Sequence, residues 1–125
     1  MFVLELFSGS AHFSHSLANI GIECHAYDIE NGPQCNLLRP SILKGIEALL
    51  KAKIVICVLL GMPCQTWSRA RRNDGRGPGP LRNDEEGLFG LASLNERDQA
   101  KVREGNALFN VTIALIRLCN KYGVP

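Results

Sequence analysis

The stretch Phe2-Val3-Leu4-Glu5-Leu6-Phe7-Ser8-Gly9-Ser10 runs from a short apolar segment straight into a turn-prone Ser-Gly-Ser. Phe13, Leu17 and Ile20 then recur at helical spacing until Gly21, so the order read here is strand, glycine turn, helix. Working outward, Ile22 to Tyr27 reads as a second strand closed by Asp28. Ser41 to Lys51, behind Pro40, carries Ile42, Ile46, Leu49 and Leu50 on one helical face. Ile54 to Leu60 is almost wholly apolar and rich in β-branched residues. Apolar strands alternating with helices predict a parallel sheet covered on both faces, an α/β fold.

From about residue 62 to 95 the periodicity stops. Five glycines, three prolines and the arginines Arg69, Arg71, Arg72, Arg76 and Arg82 describe a long surface loop. Loops of this length are usually functional or disordered, and this one is expected to be mobile. Helical character returns around Asp98 to Lys121, and Tyr122-Gly123-Val124-Pro125 reads as the exit from that helix toward a further strand.

The chain has 125 residues, the size of one compact domain, and a 46% hydrophobic, 21% charged composition excludes a disordered or fibrous protein. A net charge of +2 is too small to imply nucleic-acid binding by itself, so any such role must lie in local clusters. Five cysteines without a C-x-x-C pair indicate neither a disulfide framework nor a zinc site, which fits a reducing, intracellular setting. Met1 to Leu6 is too short for a signal segment or a membrane span. His12, His15 and His25 show no metal-ligand spacing and no evident carboxylate partner.

Ligands of doubly wound sheets bind at the carboxyl ends of the strands, where a glycine turn lets a cofactor approach the backbone. The Phe7-Ser8-Gly9-Ser10 turn stands there, and Asp28, closing the second strand, is placed to accept hydrogen bonds from ribose hydroxyls. The plain alternative is a tight turn and a loop cap. Cys64 follows the third strand in Gly61-Met62-Pro63-Cys64-Gln65-Thr66-Trp67-Ser68, a setting suited to a nucleophile; Arg69, Arg71 and Arg72 nearby would favour its thiolate. Cys24, Cys35, Cys57 and Cys119 read as small buried hydrophobes. Arginines spaced through the loop could track phosphates or simply form a solvated surface offset by Asp74, Asp84, Glu85 and Glu86.

Taken together, LELFSGSAHF (4–13), HAYDIE (25–30), CNLLRP (35–40) and above all GMPCQTWS (61–68) resemble the ordered motifs of cytosine-5 DNA methyltransferases, and REGNALFNVTIALI (103–116) resembles the helix that follows them. The resemblance implies a Rossmann-like core that uses S-adenosylmethionine. In that family a Cys thiolate adds to carbon 6 of a flipped-out cytosine and carbon 5 takes the methyl group. Cys64 matches that nucleophile. By the same resemblance Phe7, Gly9, Ser10, Asp28, Ile29, Asn36, Gly61 and Pro63 would line the cofactor pocket. Gln65, Ser68, Arg69, Arg71 and Arg72 would face double-stranded DNA. Ala11-His12, Ile29 and Asn36 depart from the family pattern.

The family's Glu-Asn motif, later Arg-containing motif and target recognition region are expected beyond Pro125. Residues 1–125 are therefore read as a partial catalytic domain, inactive alone and completed by a C-terminal region or a second chain. Two other readings stay open: a non-catalytic module that binds S-adenosylmethionine or nucleic acid, and the same chemistry on RNA.

Overall fold

The computed structural model describes residues 1–68, 71 and 74–125. The chain divides into two compact units, Met1–Met62 with Asn110–Pro125, and Pro63–Phe109.

In the first unit, β1 (Phe2–Leu6) is the central strand of a three-stranded, all-parallel sheet with β2 (Cys24–Tyr27) on one side and β3 (Val55–Leu60) on the other. Leu4 pairs with His25 and Val58, and Leu6 with Tyr27 and Leu60. Side chains alternate across a strand, so Phe2, Leu4 and Leu6 share one face. There they join Ile46 and Leu50 of α2 (Pro40–Lys51) and Leu115 and Cys119 of α3 (Glu96–Tyr122) in the buried core. On the opposite face Glu5 Oε2 accepts hydrogen bonds from Ser14 N, at 2.9 Å, and Ser14 Oγ, holding α1 (His12–Asn19) by its first turn. Leu4 and Leu6 are fully buried. Truncating either to Ala would cost about 2–5 kcal/mol, a large share of the roughly 5–15 kcal/mol typical of a domain.

The α/β class and the parallel sheet expected from the sequence are therefore present, with three α-helices among the described residues. The elements begin and end for local reasons. Pro40, lacking an N–H, starts α2 at no hydrogen-bonding cost. Asn95 Oδ1 accepts from Asp98 N at 2.8 Å and so caps α3 two residues before the periodicity becomes visible. Gly123, at φ +65°, ends α3 as the left-handed residue. Val124 N–H returns to Cys119 O (2.9 Å), Val124 enters the core, and Pro125 O accepts from Val58 N (2.8 Å) along the open edge of β3. No helix among the described residues is long and apolar enough to cross a membrane.

The connections run from β1 through α1 to β2, then back across β1 through α2 to β3. This reversal about β1 creates a switch point, and in open α/β sheets the crevice outside the carboxyl ends of the strands at that point takes the ligand.

In the second unit, residues 63–95 contain turns but neither helix nor strand among the described residues. The unit nevertheless has a small core of its own, completed by the first half of α3. Leu81 and Val102 are buried, and Trp67, Phe89 and Phe109 form an aromatic cluster with centroids 5.1–6.5 Å apart.

Candidate functional site

At the switch point the turn after β1 is tied to the ends of both neighbouring strands. Gly9 N donates to Asp28 Oδ2 at 2.9 Å and Ser8 N to Tyr27 O at 3.2 Å, while Gly61 N donates to Leu6 O at 3.0 Å. A Cβ at Gly61 would sit 3.1 Å from Phe7 O, so glycine there lets the ends of β1 and β3 approach closely. Phe7, Gly9 and Ala11 all hold left-handed backbone, with φ of +60°, +53° and +55°. For the two non-glycine residues this costs roughly 1–2 kcal/mol each. Such strain persists where the surroundings over-determine it, which is common at ligand sites.

Asp28 uses both carboxylate oxygens: Oδ2 receives Gly9 N–H, and Oδ1 receives Glu30 N–H at 3.0 Å as the cap of a short 3-10 helix, Ile29–Asn31. A carboxylate oxygen has a second lone pair, so Asp28 can still accept from hydroxyls. Ile29 is 62% exposed immediately beside it and offers an apolar surface. Asn36 Oδ1 accepts from Leu38 N (3.0 Å), and Ser10 is exposed. Phe7 packs partly against the core. The sequence reading missed Ser8, whose Oγ is buried without a hydrogen-bond partner among the described residues. Its only signal was its place inside the glycine turn. A carboxylate with lone pairs to spare, an exposed apolar neighbour and an unpartnered hydroxyl thus stand close together around the turn after β1.

Cys64 belongs to the second unit, four residues beyond the end of β3 in the chain, and is exposed, as are Pro63 and Gln65. It opens a tight turn in which Cys64 O accepts from both Trp67 N (3.0 Å) and Ser68 N (2.9 Å). Thr66 is buried, and Trp67 Nε1 donates to Gly105 O of α3 at 3.3 Å. Gly105 leaves room for this turn: an added Cβ would collide with Thr66 Oγ1 and lie 2.9 Å from Arg82 Nη2, so those side chains would have to shift. A cavity of about 110 Å³ is lined by residues of this unit, among them Thr66, Trp67, Ser68, Arg71 and Arg82.

Among the described residues, Arg71, Arg76 and Arg82 do not form one cationic track. Arg82 is turned inward: it stacks on Trp67 with its guanidinium carbon 3.5 Å from the ring centroid, and burial lowers its pKa. Arg71 donates to Gly79 O (3.1 Å) and Gln65 O (3.3 Å), closing the loop on itself. Arg76 is exposed. Arg69 and Arg72 lie outside the described residues. One histidine reading is also corrected: His25 Nε2 lies 2.7 Å from Glu23 Oε1, a partner two residues away that alternation along the strand start places on the same side, and the ring stacks on Phe2 at 4.0 Å.

No family model, curated protein or solved structure matches the chain.

Proposed function

We propose that this chain is the cofactor-binding, nucleophile-bearing portion of a cytosine-5 DNA methyltransferase, built on a Rossmann-like S-adenosylmethionine-dependent core. The observation that carries this reading is the bond from Gly9 N–H to the Asp28 carboxylate, which joins the turn after β1 to the end of β2 at the switch point. Two separate signals of the sequence, a glycine turn and an acidic strand end, meet in one hydrogen bond. The Pro63-Cys64-Gln65 element then follows the third strand of the same sheet.

In this function Asp28 accepts the ribose hydroxyls and Ile29 covers the adenine. Phe7, Gly9, Ser10, Asn36 and Gly61 complete the pocket. S-adenosylmethionine bound there supplies an electrophilic methyl group. Cys64 Sγ, as thiolate, bonds to carbon 6 of the cytosine, which makes carbon 5 nucleophilic toward the methyl group. Carbon 5 would take that methyl group and leave the demethylated cofactor behind, and loss of the carbon 5 proton to water would then restore the ring double bond as the bond from Sγ to carbon 6 breaks. Gln65, Ser68, Arg69, Arg71 and Arg72 would contact the duplex, and Arg82 would not. Withdrawing the base from the stack costs a few kcal/mol, which phosphate contacts offset.

Negative charge builds on the ring during attack and needs a group near nitrogen 3. No acidic residue among the 125 stands in the family's place for that group, so turnover by residues 1–125 alone is not expected. The test is calorimetric titration with S-adenosylmethionine or its demethylated product, expected to show one site weakened at least tenfold by Asp28→Ala. A folded sample that binds neither would overturn the proposal. Duplex DNA and RNA carrying 5-fluorocytosine, offered with the cofactor, would separate the two nucleic acids by which one becomes bound through Cys64 in a protein that has the complementing motifs.

A further inference from the structure

We propose that Arg82 is a positioning residue that fixes the turn presenting Cys64, acting through Thr66 and Trp67. This rests on the function proposed above for the meaning of Cys64, but the geometry that carries it lies wholly within residues 63–109.

A guanidinium has five N–H donors in a rigid planar fork, and Arg82 uses them on five acceptors. Nε donates to Thr66 O (3.2 Å). Nη2 donates to Thr66 Oγ1 (3.0 Å) and Val102 O (3.4 Å). Nη1 donates to Asn106 Oδ1 (2.7 Å) and Leu88 O (3.1 Å). The plane also lies over Trp67. One side chain thus joins three pieces of backbone: the turn that begins at Cys64, the segment around Leu88, and the first half of α3. Thr66 and Trp67 are the second and third residues after Cys64, and Trp67 N–H is one of the two donors on Cys64 O. Fixing them fixes the backbone that sets the direction of the Cys64 side chain.

Nucleophilic attack requires reacting atoms held at about 3–3.5 Å in a defined direction, and a misplacement of about 1 Å can cost on the order of a hundredfold in rate. An exposed cysteine on a Gly/Pro-rich segment has no such constraint unless something else supplies it. Lysine could not replace Arg82, because an ammonium presents three donors from one point and cannot span acceptors on three segments. The same accounting removes Arg82 from the phosphate-binding set, since no donor remains for a ligand.

The test is amide hydrogen exchange on the full 125-residue chain, comparing the wild type with Arg82→Lys, Thr66→Val and Thr66→Ser. The Trp67 and Ser68 amides report directly on Cys64 O. Both should exchange at least tenfold faster in Arg82→Lys and measurably faster in Thr66→Val, with β1 amides unchanged, and Thr66→Ser, which keeps the hydroxyl, should behave as wild type. Unchanged Trp67 and Ser68 amides in Arg82→Lys would overturn the proposal. Equal acceleration in β1 would also overturn it, by making Arg82 a general stabiliser. Thr66→Val perturbs a single bond and keeps the test decisive if Arg82→Lys does not fold. Failure to bind S-adenosylmethionine would instead remove the methyltransferase reading and leave these exchange rates standing.

Discussion

Gly9 N–H points at Asp28 Oδ2 from 2.9 Å, although the two residues stand 19 positions apart in the chain. The bond makes Asp28 both a structural acceptor and a candidate ligand group. Asp28→Ala should therefore destabilise the protein by about 1–3 kcal/mol, the usual range for removing a charged acceptor from a partly buried donor. Urea unfolding measures this. A stability unchanged within about 0.3 kcal/mol would mean that the Gly9 turn holds its shape without the carboxylate.

Gly105 is the contact point between α3 and the Cys64 turn. Gly→Ala in a helix normally gains about 1 kcal/mol, but here the new methyl would collide with Thr66 Oγ1. Overpacking of this kind costs about 1–3 kcal/mol, so Gly105→Ala should be neutral or destabilising, and should loosen the Trp67 amide. A thermally stabilised variant would show that the turn yields easily.

Glu47 Oε1 accepts from Tyr122 Oη at 2.9 Å and from Lys121 Nζ at 3.2 Å, tying α2 to the end of α3. The Tyr122 hydrogen bond, then that of Lys121, lowers the Glu47 pKa, and the Tyr122 and Glu47 side chains raise that of Lys121. A depressed carboxylate contributes stability above its unfolded pKa and loses it as pH falls through the folded value. A raised lysine contributes below its unfolded pKa and loses it as pH rises through the folded value. Glu47→Gln should therefore lower stability slightly at neutral pH, where the contribution is fully present, and flatten the fall in stability below about pH 4.3, the unperturbed carboxylate value, so that wild type and variant converge in acid. Identical acid profiles for wild type and variant would remove the role assigned to this pair.

Cys64 is exposed, whereas Cys119 is buried in the core and its thiol pKa is pushed up by that burial. Alkylation of the native protein at pH 8 should label Cys64 first and spare Cys119 until the protein unfolds. Peptide mapping by mass spectrometry reads the order, and early modification of Cys119 would contradict the placement of α3 in the core.

What the sequence determined by itself was whatever depends on local periodicity and local chemistry. The apolar run of β1, the helical spacing of Ile42, Ile46 and Leu50, the β-branched β3 and the glycine turn are each visible within a dozen residues, and together they require a parallel α/β sheet. The places of Asp28 and Cys64, each after a strand, were equally legible. The tertiary structure alone decided what those residues touch. A charge pattern does not say where a side chain points, so Arg82 read as one more loop cation, although its partners Thr66, Leu88, Val102 and Asn106 turn it inward. Gly105 gave only a weak signal, a glycine inside a helical pattern, and its cause lies 39 residues earlier, at Thr66. Hydrogen bonds saturate only between groups that folding brings together, and the fit of a guanidinium to five acceptors has no counterpart in spacing along the chain.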